Sequence, residues 1–521
     1  MMRLITKPEQ SGKTFVMLQE MVMIVQTEKP EDLRNINIVL CDNNLLLVLQ
    51  TLDRVGSVDL LENHIELSSA KRSSCTNFRE VVDGIINRGT RNILCCSNHI
   101  RMKDVSSIIQ TLINLGIGGV YQFNIWVDEA DKWLKGIDTN ICPLIEKYGN
   151  IKLNLITATP KNIIKKYGKV EILPLECSTL PSYHSWMDSN FITYKDLFRT
   201  PDFVEKVLKD NPDEIKPGTK WFIPAGFRID SHHLVKEYCK SHGFVTIIIN
   251  GEGLKIYFPD GKMEKRLREE MPDRLIYNIY EELNLSRFPL AITGYLCISR
   301  GITISSPEFQ ISHAIMPAGM KNDQEISQVA GRTKGNQKLW DSYQSPKIYV
   351  TEKFLENAAT IERKTRALSE TAFKQDIRIV DMDIYNTVDK PFSYYQHPVF
   401  FKTYEEAVRY LETQEEHLKP KDCEKIIINA EKMIAKKKWI LRRGGLETGH
   451  WISNSLITKN VIESGKVLFF TKKTLEITPI FKTVAQPDTL KYRSFVIIPV
   501  YKDKLAGAEE VSFVVRHTKW K

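Results

Sequence analysis

The segment Lys7-Pro-Glu-Gln-Ser-Gly-Lys-Thr14 constrains this chain more than any other. It follows a short apolar run, Met2 to Ile5, and precedes apolar residues at helical spacing, Val16 to Val25. A strand that turns through Ser-Gly-Lys-Thr into a helix is the context of a phosphate-binding P-loop. Backbone N–H groups at such a helix start cradle phosphate oxygens. Pro8, Gln10, Ser11 and Gly12 are the candidate cradle, and Gly12 lets the backbone approach without a Cβ. Lys13 is expected to reach the β and γ phosphates, and the Thr14 hydroxyl to hold Mg²⁺.

Strand and helix patterns alternate after this loop. Ile36 to Cys41, Asn92 to Cys96, Asn124 to Val127 and Leu153 to Thr157 read as strands, with amphipathic stretches such as Val105 to Leu115 between them. That alternation predicts a parallel α/β sheet with helices on both faces. A second alternation predicts strands at Trp221 to Pro224, Val245 to Asn250, Leu290 to Thr293, His313 to Pro317 and Lys347 to Val350. Between them, Pro174 to Pro217 reads as a connector with some structure. After about Gln375 the pattern changes to helices, Tyr404 to His417 and Cys423 to Lys438. Strand-like runs follow at Lys466 to Phe470, Ser494 to Tyr501 and Val511 to Arg516. The expected domains are therefore 1–175, 176–375 and a smaller α+β domain over 376–521.

A second motif follows one of these strands. Ile125-Trp-Val-Asp-Glu-Ala-Asp131 runs an apolar strand into Asp-Glu-Ala-Asp. At the end of a parallel strand, Asp128 is placed to hold Mg²⁺ through water and Glu129 to polarise a water attacking the γ-phosphate. Further on, Thr157-Ala-Thr159 ends another apolar strand, with hydroxyls able to bridge the acidic box to the second domain.

Composition excludes several classes. Of the 521 residues, 42% are hydrophobic and 26% charged, so disorder and low complexity are out. Nine cysteines without a Cys-x-x-Cys pair argue against a disulfide scaffold or a zinc site. No apolar run is long enough to span a bilayer, and Met1 to Gln10 lacks a secretory stretch. An intracellular, membrane-free protein is expected. The net charge of +9 is concentrated: Glu431 to Lys521 carries 18 Lys and Arg against 8 Asp and Glu. A basic segment favours a polyanionic partner, although charge alone also suits a solvated face. Ser231-His232-His233 reads as a helix start capped by Ser231, and Cys95-Cys96 as core.

The P-loop, the acidic box and Thr-Ala-Thr, in this order, resemble the superfamily 2 helicases, the DEAD/DEAH-like group. Gln328-Val-Ala-Gly-Arg-Thr-Lys-Gly335 resembles helicase motif VI. Thr293 through Ser299-Arg300-Gly301-Ile302 resembles motif V, Phe222-Ile-Pro224 stands where motif IV is expected, and Leu40 to Asn43 and Cys96-Ser-Asn98 where motifs Ia and Ib are. The Pro-Glu-Gln-Ser-Gly-Lys-Thr form is similar to helicase-like proteins of large DNA viruses and phages. The resemblance, over residues 1 to 370, implies two RecA-like P-loop NTPase domains and an ATP hydrolase using ATP and Mg²⁺. It implies catalytic roles for Lys13, Asp128, Glu129, Gln328 and Arg332, the last as an arginine finger. Gly301 and Gly331 join the nucleotide site. Asn43, Ser97, Thr157, Thr159, Thr293 and Arg300 are implied to meet nucleic acid, through backbone contacts that ignore sequence.

The chain departs from this pattern at several positions. Lys7 stands where the usual first glycine of the P-loop would be, and Gln10 replaces another glycine. Gly335 replaces the last arginine of motif VI, so that contact is missing or supplied by Lys334. Six residues before the loop leave no room for an upstream glutamine motif, so base selectivity is relaxed or set elsewhere. The expected function is an ATP-dependent nucleic-acid helicase. A double-strand translocase without unwinding and a non-catalytic nucleic-acid-binding module are the alternatives.

Overall fold

The structure is a computed structural model. It describes residues 2–29, 31, 33–42, 45–68, 75–175, 182–195, 199–226, 228–250, 253–266, 272–294, 304–390 and 392–414, and beyond these only strand segments between 451 and 520. Contacts divide the chain into two compact units, Met1–Ile379 and Val380–Lys521.

The first unit holds two α/β lobes. The first lobe is built on β1 (Met2–Thr6), β2 (Arg34–Cys41), β3 (His64–Leu67), β4 (Asn92–Cys96), β5 (Tyr121–Val127), β6 (Ile151–Thr157) and β7 (Val170–Ile172). These lie in the order β7-β1-β6-β5-β2-β4-β3, and every pair is parallel. Parallel strands covered on both faces read as apolar runs. Accordingly Ile5, Val39, Leu94, Trp126 and Ile156 are buried under the helix α1 (Lys13–Gln26) and its neighbours. Asparagines thread this core, with Asn37 Nδ2 donating to Asn92 Oδ1 at 3.1 Å and Trp126 Nε1 to Asn37 Oδ1 at 3.2 Å.

The second lobe begins with β8 (Tyr183–His184) and β9 (Asn190–Tyr194). It continues through β10 (Lys220–Pro224), β11 (Val245–Asn250), β12 (Gly253–Tyr257), β13 (Met263–Arg266), β14 (Leu290–Gly294), β15 (His313–Ile315), β16 (Gly335–Asn336) and β17 (Lys347–Thr351). Its sheet order is β13-β12-β11-β14-β10-β15-β17-β9. Within this sheet the strands are parallel except β12 and β13, which fold back antiparallel at one edge, while β8 and β16 form a separate antiparallel pair. The fold is α/β, with two RecA-like lobes. Within the expected connector, β9 is a full parallel strand on β17. Its Phe191 and Ile192 pack on separate core clusters, which a short half-exposed run does not announce. Ser231 lies inside the helix Ile229–Ser241 rather than capping it, and its hydroxyl donates to Gly226 O at 3.0 Å. Cys95 and Cys96 are core residues, as expected.

The second unit has a helix, Tyr404–Glu412, opened by a capping box between Thr403 and Glu406. Ala407, Val408 and Leu411 of that helix bury against Phe495, Phe513 and Val515. The strands Phe392–Gln396, Val511–Trp520 and Phe495–Tyr501 are antiparallel neighbours, and Lys466–Phe470 is a strand as expected. The expected helix Cys423 to Lys438 and most of the basic tail lie outside the described residues. No helix among the described residues is long and apolar enough to cross a membrane.

Candidate active site

Strand order gathers the motifs. β1, β6 and β5 are neighbours, so the loops after Thr6, Thr157 and Val127 share one edge of the sheet. The C-terminal edge of an open parallel sheet is where ligands bind.

After β1 the chain passes through two left-handed residues, Gln10 (φ 53°) and Gly12 (φ 89°), before α1 begins at Lys13. Consecutive turns of this kind aim N–H groups into one concavity. The Ser11 hydroxyl donates to Pro8 O at 2.6 Å, and Lys13 Nζ donates to the same carbonyl at 3.4 Å. Pro8 therefore shapes the loop through its carbonyl.

After β5, Glu129 is also left-handed (φ 50°), at a cost of roughly 1–2 kcal/mol for a residue with a Cβ. That turn lets the Glu129 N–H donate to Asp128 Oδ1 at 3.0 Å. Both carboxyls are half-buried, and loss of solvent around them raises both pKa values, against the pull of Lys13. Glu129 is pushed up to about 7, with Asp128 adding to the rise. Asp131 is pushed up to about 6 by burial and by Glu129.

Asp131 organises the Thr-Ala-Thr segment. Its oxygens accept from Thr157 Oγ1 at 2.7 Å and from Thr159 Oγ1, and Gln324 Nε2 reaches it from the second lobe at 2.6 Å. The two threonines are 0% and 5% exposed, with their hydroxyls turned to Asp131. Ser97 and Thr293 are buried as well. These four residues, expected to meet nucleic acid, are buried at or just past the ends of β4, β6 and β14. Asn43, Arg300 and Gly301 lie outside the described residues.

The second lobe brings the helix α2 (Asp323–Ala330) and the turn after it to the same edge. Gln328 Nε2 donates to Glu129 Oε2 at 2.7 Å. Arg332 donates back to Gln328, from Nε to the backbone O at 3.3 Å and from Nη2 to Oε1 at 3.4 Å. Burial lowers the Arg332 pKa to about 10, which leaves it charged at neutral pH. Lys13, Thr14, Asp128, Glu129 and Arg332 thus line one cavity of about 930 Å³.

Two departures in the sequence explain each other. A Cβ on Gly335 (φ 128°) would stand 2.7 Å from Gln10 Oε1, so the side chain gained in the P-loop occupies the room vacated in motif VI. Likewise a Cβ on Gly331 would meet Glu9 Cβ at 2.9 Å, so Gly331 permits the lobes to approach. Lys334 does not replace the missing arginine. Its Nζ is bound by Glu9 Oε2 at 2.7 Å and Glu362 Oε2 at 2.9 Å, with 1% of the side chain exposed. Burial opposes its charge, but Glu362 and Glu9 outweigh that and hold the ammonium well above its usual range. Glu9, Glu362, Gln324 and Ser327, whose hydroxyl donates to Glu9 Oε1, were not legible as site residues. The available signal was a lone carboxylate inside a phosphate loop.

The long helix α3 (Glu352–Lys374) adds two further crossings. Thr365 Oγ1 donates to Ala158 O at 2.8 Å and Ser369 Oγ to Thr6 O at 2.6 Å.

No protein-family model matches the chain, and no curated protein matches it in sequence. Solved structures do. Dbp5 of S. cerevisiae, bound to RNA and ADP BeF3, is 17% identical at TM-score 0.40, covering 74% of this chain and 89% of its own. The DEAD-box helicase Mss116, bound to ssRNA and UDP-BeF, is 13% identical at TM-score 0.41, covering 72% and 70%. The NS3-like helicase from Alongshan virus is 10% identical at TM-score 0.36, covering 74% and 88%. All three scores lie below 0.5, so the fold rests on the strand order and registers above. By those, the chain folds into two α/β lobes on largely parallel sheets, with the P-loop and the acidic box at the C-terminal edge of the first.

Proposed function

We propose that the protein is an ATP-dependent nucleic-acid helicase, coupling ATP hydrolysis to translocation and strand separation. The observation that carries this reading is the chain Glu129–Gln328–Arg332, which joins a half-buried carboxylate of one lobe to a buried arginine of the other beside the P-loop. The N–H groups of the P-loop and Lys13 bind the triphosphate. Glu129, ionised above about pH 7, accepts a proton from the attacking water. Arg332 neutralises charge developing on the γ-phosphate. Loss of that phosphate removes the ligand shared by both lobes, so their contact follows the nucleotide.

Thr14 and Asp128 offer hard oxygen donors on one cavity wall, the set that suits Mg²⁺. Among the described residues no group of three or more His, Cys, Asp or Glu is placed to hold a metal. Phosphate oxygens and water would therefore complete its shell, and bound there it would offset phosphate charge. Phe15 and Trp340 also line the cavity and offer flat faces on which a nucleobase can stack. The partner is nucleic acid, gripped through its backbone, with the basic segment Glu431 to Lys521 as a further grip.

The test is ATP hydrolysis by the full chain, alone and with single-stranded DNA, duplex DNA and RNA, beside Lys13→Ala and Glu129→Gln. Stimulation by a polymer, lost in both variants, is expected, with strand displacement of that polymer. Tight polymer binding with no hydrolysis would overturn the reading.

A further inference from the structure

A carboxylate is out of place in a phosphate loop. Glu9 lies three residues before Gly12, lines the same cavity, and is only 3% exposed. An unpaired anion there would repel the phosphates that the N–H groups attract, and low local polarity would strengthen the repulsion. Among the described residues its countercharge comes from the second lobe. Lys334 reaches it from the turn after α2, and the Ser327 hydroxyl donates to its other oxygen. Lys334 is held from behind by Glu362 of α3, and Glu362 is fixed by the N–H of Trp186 at 3.2 Å. The backbone of Glu9 is tied as well, since Tyr183 OH donates to its carbonyl at 3.0 Å. Every one of these partners belongs to the second lobe, and none of the contacts passes through the phosphate cradle.

We propose that Glu9, Lys334 and Glu362 form an electrostatic latch through which the second lobe licenses phosphate binding at the P-loop. The proposal rests on the nucleotide-binding reading above and adds its regulation. With the lobes engaged, Lys334 neutralises Glu9 and the cradle accepts a polyphosphate. With the lobes parted, Glu9 faces the cradle without its cation and the polyphosphate is rejected. Lobe separation therefore expels nucleotide by charge, and Lys334 acts as a positioning residue that does not itself touch the ligand.

The test is equilibrium binding of ATP, ADP and adenosine to the full chain by calorimetry, for wild type, Lys334→Met, Lys334→Arg and Glu9→Gln/Lys334→Met. Lys334→Met should weaken ATP at least tenfold and ADP less, leaving adenosine within threefold. The double variant should return ATP to within threefold of wild type, and Lys334→Arg should stay close to wild type. A site that was merely damaged would weaken adenosine as much as ATP, and that outcome overturns the latch. So does a double variant as weak as the single. Should Lys334→Met not fold, the double variant carries the test, because it lacks both members of the pair and must still bind ATP. Wild-type protein that binds no ATP at all overturns the nucleotide reading and the latch together. Wild-type binding with no coupling between positions 9 and 334 overturns the latch alone.

Discussion

The two lobes are joined by ion pairs of opposite character. At the P-loop, Lys334 sits between Glu9 and Glu362 with its side chain 1% exposed. At the rim, Lys161 Nζ meets Asp323 Oδ2 at 2.5 Å, with 47% and 42% of the side chains exposed. Distance does not separate the two crossings; water does. An exposed pair is screened and contributes little. A buried one contributes little net stability either, yet breaking it strands a charge with no solvent to receive it. The inner crossing is therefore the one through which the second lobe governs the first.

Mutations can break that comparison. The largest effect is expected from Lys334→Met, which leaves two carboxylates buried without their cation. Urea unfolding of the full chain should show a loss of about 3–5 kcal/mol in the transition of the first unit. Next comes Gly331→Ala. Its methyl would press on the Glu9 side chain, costing about 1–3 kcal/mol. Nucleotide binding should weaken with it, and an unchanged melting temperature would refute the close packing.

Glu129→Gln sharpens the comparison through pH. The folded Glu129 carboxyl has its pKa raised from 4.5 to about 7 by burial. The folded state therefore holds this proton more tightly than the unfolded chain does. Its contribution is fully present below pH 4.5 and is lost as the pH climbs through 7. The variant cannot ionise, so at pH 8 it should melt roughly 2–5 °C above wild type. At pH 4.5 the difference should vanish. Smallest is Lys161→Ala, expected to change stability by less than about 1 kcal/mol. A larger loss would mean that the outer pair is more than a screened contact.

Much of the site was legible because the relevant residues end apolar strands. β4, β11 and the C-terminal ends of β2, β5 and β6 fall where hydrophobic runs place them, and Lys13, Asp128 and Glu129 follow directly from those runs. β9 was not legible as a sheet strand, because its burial comes from partners far along the chain. The inner ion pairs were hidden for the same reason. Glu9 and Lys334 are 325 positions apart, and nothing local marks either as paired. Thr157 and Thr159 carry a related lesson. A hydroxyl at a strand end can serve a polymer or a neighbouring carboxylate, and here both hydroxyls donate to Asp131 in the turn after β5.

The fit of Gln10 over Gly335 bears on how such chains diverge. A bulky residue in one loop is accommodated only because the facing strand has surrendered its own side chain. Neither position can drift alone without a clash or a void. Among descendants of a common ancestor, the two should therefore trade volume in step. A chain with a small residue at position 10 should be free to carry a large one at 335, and intermediates with two large residues should be purged.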